Sequence, residues 1–378
     1  KYYIIAGEAS GDLHASNIIR EIKSKDHHAE FRGWGGDLMK REGVDLVKHY
    51  KDHNYMGFWE VIKHIKTILR NIKFCKKDIH NYQPDALVLI DFPGFNLRIA
   101  KHFSSNGFPI LYYIAPQVWA WKEKRVKQIK QYVTQLYVIL PFEKEFFKKH
   151  NITASYVGHP LVDHIEQFIE NQSLTKEEFY ARYKIQENKE LLTLLPGSRK
   201  QEIVKKLPVM LKAAHSFSKD YTIVIGGIKT FKELYKEIIG DRKVYVVYND
   251  TYNLLTNSYS ALVTSGTATL ETAFFNVPQV VCYKSSWVSY RIAKLLVKIK
   301  YISLVNLILD KECVKELIQS NLNEKNLTNE LELILNKDSR NRILKDYLSL
   351  KSICAGKNAS KLTAIEMLKT IQNHKSLN

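Results

Sequence analysis

The sequence contains little cysteine and no long apolar run. Its 378 residues include only Cys75, Cys282, Cys313 and Cys354, which are widely spaced and form no CxxC pair. Such usage is typical of reduced cytosolic thiols and excludes a small disulfide-stabilised fold. No apolar run approaches the ~18 residues that a membrane-spanning helix needs. Residues 1–6 already resemble a strand, so we expect no signal peptide before the fold and a soluble or peripheral protein.

Acidic residues are scarce relative to basic ones. The chain has 57 Lys and Arg against 39 Asp and Glu, a formal charge of +18. This excess favours an anionic partner, which could be nucleic acid, an anionic membrane surface or a phosphorylated small molecule. The sequence contains neither a P-loop nor a GxSxG elbow. Because the cysteines are unpaired and no ligand pattern supports a metal site, we expect no metal and no cofactor.

Short apolar runs alternate with amphipathic stretches along most of the chain, which predicts an α/β fold with parallel sheets. The length favours two domains. We predict two Rossmann-like domains, 1–165 and 166–340, that face a central cleft and are joined by the polar stretch 166–189. The helical tail 341–378 is expected to pack back on the first domain or on a partner subunit of a homodimer. The predicted strands are Tyr2–Ala6, Ala86–Ile90, Ile110–Ile114, Leu136–Ile139, Leu191–Leu195, Tyr221–Ile225, Val244–Val247, Ala261–Val263 and Gln279–Cys282.

Two turns in the second half, Leu195–Arg199 and Ser265–Glu271, indicate a site for a nucleotide diphosphate. Each follows an apolar strand, and the second leads into a predicted helix. Backbone N–H groups at a helix start bind phosphate, and the forked guanidinium of Arg199 can take two phosphate oxygens. Glu271 can accept both ribose hydroxyls, although a glutamate that stabilises a helix N-terminus is the simpler alternative. The donor-side candidates are Gly197, Ser198, Arg199, Gly226, Ser265, Gly266, Thr267 and Glu271.

The first half carries a different kind of turn directly after its first strand. Glu8 and Asp12 would repel a pyrophosphate, and the GxGxxG dinucleotide fingerprint is not matched. Carboxylates at this place suit sugar hydroxyls, whereas the alternative is a turn capped by Ser10 or Asp12. The stretch Arg32–Asp37 is a second glycine-rich turn, predicted at the exit of a second strand. Its three glycines indicate either a backbone close to a ligand or a plain loop.

Asp91 ends the apolar run Ala86–Ile90. The carboxyl end of a buried strand is where open α/β sheets bind ligands. Partial burial would favour proton acceptance near neutral pH, so Asp91 is a candidate general base. The alternative is an aspartate that forms a turn or caps a helix.

Two basic amphipathic stretches, 56–77 and 287–301, combine apolar residues at helical spacing with many cations. Each is either an ordinary surface helix or a segment that inserts shallowly into an anionic bilayer. The candidate membrane contacts are Phe58, Lys63, Lys66, Arg70, Arg291, Lys294 and Lys298.

The order of these motifs resembles the lipid-A-disaccharide synthase family, inverting glycosyltransferases of the GT-B fold. The matching segments run in family order from residue 3 to about residue 320. They are Ala6–Asp12, Ile90-Asp91, Phe95-Asn96, Val118–Trp121, Leu140–Lys144, Gly158-His159, Leu194–Arg199, Ser265–Glu271, Tyr301–Asn306 and Val314–Leu317.

The resemblance implies transfer of 2,3-diacylglucosamine from UDP to 2,3-diacylglucosamine 1-phosphate, which yields a β-1′,6-linked disaccharide and UDP. It implies that Asp91 is the general base, that Asn306 belongs to the donor site, and that no metal takes part. It also implies a cytoplasmic protein bound peripherally to the anionic inner leaflet. The acceptor-side residues would be Glu8, Ser10, Gly11 and Asp12. The chain departs from the family pattern at Gly94, where an aspartate is common, and at Val305, where proline is common.

Two other functions fit parts of the sequence. Another GT-B enzyme acting on a UDP-aminosugar, such as a muramyl-type transferase or an epimerase, would share the UDP site. The Gly7–Asp12 turn favours the lipid enzyme over these. The positive charge would also suit a nucleic-acid-binding protein, but the chain contains no recognisable binding module, so we expect no nucleic acid partner.

Overall fold

The computed structural model describes residues 1–52, 65–116, 118, 124–171, 173–186, 189–285, 300–354 and 358–377. The strands are β1 Tyr2–Ala6, β2 Phe31–Gly35, β3 Asp45–His49, β4 Ala86–Ile90, β5 Ile110–Tyr113, β6 Gln135–Val138, β7 Ala154–Tyr156, β8 Glu190–Leu195, β9 Tyr221–Gly227, β10 Tyr245–Tyr248, β11 Ser258–Thr264, β12 Gln279–Tyr283 and β13 Lys315–Ile318. The helices are α1 Ala9–Lys23, α2 Asp37–Arg41, α3 Ile65–Tyr82, α4 Pro93–Phe103, α5 Lys124–Tyr132, α6 Pro141–Lys149, α7 Pro160–Asn171, α8 Lys176–Tyr183, α9 Lys200–His215, α10 Lys232–Ile239, α11 Thr251–Thr256, α12 Thr267–Phe274, α13 Leu304–Leu309, α14 Glu324–Leu335, α15 Lys337–Cys354 and α16 Ala359–Leu377.

The chain divides into two compact units. The first comprises residues 1–160 with 356–378, and the second comprises residues 161–355. Helix α15, most of which lies in the predicted tail, therefore belongs to the second unit. Helix α16 returns to the first unit, where it packs on α1 and where Met367 is fully buried.

The first unit contains a parallel sheet in the order β3-β2-β1-β4-β5-β6-β7. Strands β1 and β4 lie at its centre, and all ten of their residues are buried. Continuous apolar strands are typical of a parallel sheet covered by helices on both faces.

The second unit contains a parallel sheet in the order β10-β9-β8-β11-β12-β13. Two parallel α/β units confirm the predicted fold class. The predicted strands are all present with small shifts at their ends, whereas β2, β3, β7 and β13 were missed.

The glycine-rich stretch Arg32–Asp37 corrects one prediction, because most of it is strand β2 and only its end is a turn. A side chain at Gly33 would collide with the backbone of Ile4 on the neighbouring strand. The glycine thus permits close packing of two strands and does not line a ligand site.

None of the helices in the described residues combines the length and apolar character that crossing a bilayer requires. Within the same residues, histidine, cysteine and carboxylate side chains form no group of three or more that could hold a metal ion.

Candidate functional site

Each sheet has one point where the strand order reverses direction. In the first sheet this point lies between β1 and β4, and in the second between β8 and β11. Connections there leave toward opposite faces of the sheet, which opens a crevice at the carboxyl ends of the two strands. The turns that carry Glu8 and Asp91 flank the first crevice. The turns Pro196–Arg199 and Ser265–Thr267 flank the second.

The second crevice is a cavity of about 500 Å³, large enough for a small-molecule ligand. All of the donor-side candidates except Asn306 line it. The lining residues that sequence reasoning missed are Glu202, Ile228, Thr251 and Thr264, whereas Leu195 and Ala268 belong to the two predicted turns and Gly227 follows Gly226. Thr264 ends β11 and Thr251 begins α11. Their positions at the end of a strand and at the start of a helix were the signal that could have identified them as lining residues.

The first turn of this cavity is held by a side chain of the helix that follows it. Gly197 has a φ of 110°, which favours glycine. The Glu202 carboxylate accepts the backbone N–H of Ser198 at 3.1 Å and that of Arg199 at 3.3 Å. These two amides are therefore already bonded, and the exposed guanidinium of Arg199 is the group of this turn that can bind an anion.

The second turn leaves its amides open. Gly266, with a φ of 151°, turns the chain into α12. Among the described residues, no acceptor lies within hydrogen-bond distance of the N–H groups of Gly266, Thr267 and Ala268. The hydroxyl of Thr264 is buried and also has no partner there. An anion at this helix start would gain both the amides and the positive end of the helix dipole.

Glu271 lies one turn into α12 and lines the same cavity. Burial raises the pKa of its carboxyl from 4.5 to about 7. Since burial disfavours the charged form, the group exchanges its proton near neutral pH.

Asn306 is not in the cavity lining. It is fully buried, and its Nδ2 donates to Val314 O and to Glu316 Oε1. Its Oδ1 accepts the backbone N–H of Cys313 and Val314. The carboxamide is thus hydrogen-bonded to the loop that joins α13 to β13 and to Glu316, and the place of Asn306 in the donor site stays a prediction.

The segment just before α13 is tied both to the second turn of the cavity and to β13. The Ser265 hydroxyl donates to Ile302 O at 3.1 Å, and Ile302 N donates to the Glu316 carboxylate, which Asn306 also contacts. A chain of hydrogen bonds therefore leads from Asn306 to the Ser265 turn. Glu316 is the member that sequence reasoning missed. Val305 is buried beside Asn306.

In the first unit, Asp91 stands directly after β4 in an unusual backbone conformation. Asp91 and Phe92 have φ values of 43° and 46°, in the left-handed region that residues other than glycine rarely adopt. Such residues each cost about 1–3 kcal/mol and persist where the surroundings fix them. Gly94 lies in open space, where a side chain would meet nothing within 4 Å.

The Asp91 carboxyl is electrostatically suited to proton transfer. Burial, together with the negative charge of Glu8, raises the pKa of Asp91 from 3.8 to about 6. By contrast, burial beside His14 lowers the pKa of His159 to about 3. His159 is therefore neutral at physiological pH, and Asp91 is the group poised to accept a proton.

The other acceptor-side candidates differ in their surroundings. Glu8 is half-buried at the start of α1, and Ser10 is exposed. Gly11 is buried where α1 packs on β1. The Asp12 carboxylate is buried and accepts the backbone N–H groups of Gly36, Leu38 and Met39. Asp12 therefore stabilises the start of α2, which leaves Glu8 and Ser10 as the polar side chains available to an acceptor.

Only part of the predicted membrane contact can be described. Lys66 and Arg70 are exposed on α3, beside Ile65 and Leu69, which are 52% and 54% exposed. The remaining candidates lie outside the described residues. They are Phe58, Lys63, Arg291, Lys294 and Lys298.

The chain matches known proteins over nearly its whole length. The family model described as Lipid-A-disaccharide synthetase matches residues 2–370. The chain belongs to this family. A relative named Lipid-A-disaccharide synthase from Syntrophus aciditrophicus is 36% identical over 353 residues, which are 92% of this chain and 91% of that protein. One of the same name from Nitrosococcus oceani is 35% identical over 358 residues, covering 92% and 90%.

Solved structures with little sequence similarity share the fold. UDP-GlcNAc 2-epimerase from Neisseria meningitidis, bound to UDP-GlcNAc, superimposes with a TM-score of 0.70 at 11% identity, covering 97% of this chain and 99% of that one. A glycosyltransferase from Rickettsia africae gives 0.58 at 14% identity, covering 99% and 98%. Members of the family thus share the GT-B architecture with epimerases as well as transferases, and the fold alone does not separate the two activities.

Proposed function

We propose that this family member joins UDP-2,3-diacylglucosamine to 2,3-diacylglucosamine 1-phosphate, producing the β-1′,6-linked disaccharide 1-phosphate and UDP. The observation that carries the proposal is the pair of unlike switch-point sites. One presents a carboxylate of raised pKa, and the other presents open helix-start amides with an arginine and a buried glutamate. The first suits a sugar hydroxyl that must lose a proton, and the second suits a nucleoside diphosphate that must leave.

The reaction we infer is a single displacement. The acceptor 6-hydroxyl oxygen attacks the anomeric carbon of the donor as Asp91 takes the hydroxyl proton. The bond from that carbon to the β-phosphate oxygen breaks, and its electron pair leaves with UDP. Arg199 and the start of α12 stabilise the charge that develops on the diphosphate.

Product analysis tests this function. Purified protein, incubated with both substrates, should form the acylated disaccharide 1-phosphate and one UDP for each disaccharide, measured by mass spectrometry. An epimerase would instead convert the UDP-sugar without acceptor and without releasing UDP in proportion. That outcome, or the absence of disaccharide, would refute the proposal.

Glu271 gives donor binding a specific pH dependence. We infer that the ionised carboxylate accepts the two ribose hydroxyls, so donor binding favours the deprotonated form. In the free protein the pKa of Glu271 is about 7. The affinity for UDP-GlcNAc, used here as an analogue of the acylated donor, should therefore rise up to about tenfold from about pH 6 to about pH 8. Titration calorimetry at several pH values measures this change. The sugar diphosphate has no ionisation of its own in this range that would confuse the result.

The matched variant is Glu271→Gln, which keeps the shape of the side chain and removes the titration. It should bind the donor more weakly at pH 8 and lose the pH dependence. A wild-type affinity that does not vary with pH, or a variant that retains the variation, would remove Glu271 from the ribose.

We also propose that the exposed face of α3 binds an anionic lipid surface peripherally. On this face Ile65 and Leu69 lie beside Lys66, Arg70 and Lys73, all exposed. Apolar residues flanked by cations are typical of shallow insertion, and each cation near an anionic surface contributes about 1 kcal/mol. A surface of this kind would keep the enzyme close to its acylated substrates.

Sedimentation with vesicles tests the surface. Reversing Lys66, Arg70 and Lys73 to glutamate should lower binding to phosphatidylglycerol vesicles at least about 100-fold. The control reverses three exposed lysines of the second unit, Lys212, Lys219 and Lys325, which changes the net charge equally. Equal losses in the two triple variants would mean that net charge alone, and not this face, drives binding.

A further inference from the structure

The backbone carbonyl of Asp91 is the acceptor of two buried side chains. The Tyr112 hydroxyl donates to it at 2.6 Å, and Asn96 Nδ2 donates to it at 2.8 Å. Asn96 Nδ2 also lies 3.2 Å from the carbonyl of Ile90. Both side chains are fully buried. Two buried polar side chains thus donate hydrogen bonds to the backbone carbonyl of the candidate base itself.

The amide of the same residue is also bonded. Asp91 N donates to Tyr113 O on the neighbouring strand at 3.1 Å. Since Asp91 and the following Phe92 both have left-handed backbone conformations, this peptide would relax toward a commoner conformation without such bonds. The direction of the Asp91 Cα–Cβ bond follows from the backbone conformation, so the bonds that fix the backbone also fix the position from which the carboxylate extends.

We propose that Tyr112 and Asn96 are positioning residues that hold the Asp91 carboxylate in its reacting orientation. The inference rests on the proposed role of Asp91 as the base. Both side chains are fully buried, so they act through the Asp91 backbone and not by contact with the substrate. Burial raises the pKa of the Tyr112 hydroxyl far above its usual range, so Tyr112 stays a hydrogen-bond donor at every pH at which the enzyme would work.

The test is a double-mutant cycle with Tyr112→Phe, which removes one hydroxyl and preserves the ring. As a single variant, Tyr112→Phe should lower kcat about tenfold, because a rate loss of that size corresponds to one lost hydrogen bond. The donor KM should not change. In the Asp91→Asn background the substitution should lower the residual rate less than about twofold, because an amide at position 91 transfers no proton whatever its orientation. Asn96→Ala should behave in the same way and serves as the second variant.

The pH profile supplies a readout that a general loss of stability would not change. An Asp91 carboxylate that is held less firmly is better solvated, so the acid limb of kcat at saturating donor, near pH 6 in the wild type, should move to lower pH in Tyr112→Phe. Tyr137→Phe is the matched control. Its ring is equally buried in the same sheet, and its hydroxyl contacts Thr370.

The outcomes separate the two proposals. If Asp91→Asn itself turns over at the wild-type rate, the base is misassigned and the proposed mechanism fails. If Asp91→Asn is inactive as expected but Tyr112→Phe loses nothing, or loses as much in both backgrounds, the positioning role is refuted. An unmoved acid limb in Tyr112→Phe would refute it as well.

Discussion

Replacing Asp91 by asparagine is expected to lower kcat at least ~100-fold while the affinity for UDP-GlcNAc changes less than about twofold. General base catalysis contributes about 10²–10⁴ to a rate. Asparagine preserves the size of the side chain and its turn, but it cannot take the proton of the acceptor hydroxyl. Initial rates of UDP release with the acylated donor give kcat, and calorimetric titration with UDP-GlcNAc gives the affinity.

The pH dependence of the wild-type rate tests the same role of Asp91. Because burial and Glu8 raise the pKa of Asp91 to about 6, the reactive carboxylate form is lost as the pH falls through that value. At saturating donor, kcat should therefore decline below about pH 6 and level off above it. Asp241→Asn, at an exposed loop of the second unit, is the control and should behave as the wild type. Turnover near the wild-type rate in Asp91→Asn would exclude Asp91 as the base.

The second large effect is expected at Arg199. Truncation to alanine should lower kcat/KM for the donor about 100-fold, since a charge-assisted contact to the diphosphate strengthens as the leaving group gains charge. Lysine at this position should recover part of the loss, because it retains the charge without the forked geometry.

Lys200→Ala is the control for Arg199, since it removes the neighbouring exposed cation. The expected order of kcat/KM is wild type and Lys200→Ala, then Arg199→Lys, then Arg199→Ala. Equal losses at the two positions would indicate a general electrostatic attraction. A donor kcat/KM unchanged in Arg199→Ala would exclude contact with the diphosphate.

The fold could be predicted where the hydrophobic pattern was strong. Strands such as β4 and β8 are buried on both faces, so their apolar runs stand out in the sequence. Strand β2 could not be recognised because its glycines serve close strand packing and imitate a turn. Strand β13 lies at a sheet edge and consists of two charged residues followed by two apolar ones, so it shows neither an apolar run nor an alternation.

The site could be predicted only as far as the ends of those strands. Local patterns place Asp91, Arg199 and Glu271 just after buried strands. The strand order, which makes these strand ends switch points, depends on pairings that local patterns do not indicate. The hydrogen-bond partners of a polar side chain are often distant in sequence, so the spacing of residues does not reveal whether that side chain faces a ligand or the protein. Thus Asp12 bonds to the start of α2, and Asn306 bonds to Glu316 and the neighbouring loop. Homodimer formation stays a prediction, since α16 packs on α1 of its own chain.

The stereochemistry of the product tests the single displacement most directly. Proton NMR of the disaccharide formed by the purified protein from the α-configured donor should show only the β-linked glycoside, because one attack by the acceptor hydroxyl inverts the anomeric carbon. An α-linked product would require two displacements or a different attack, and it would contradict the single displacement assisted by Asp91.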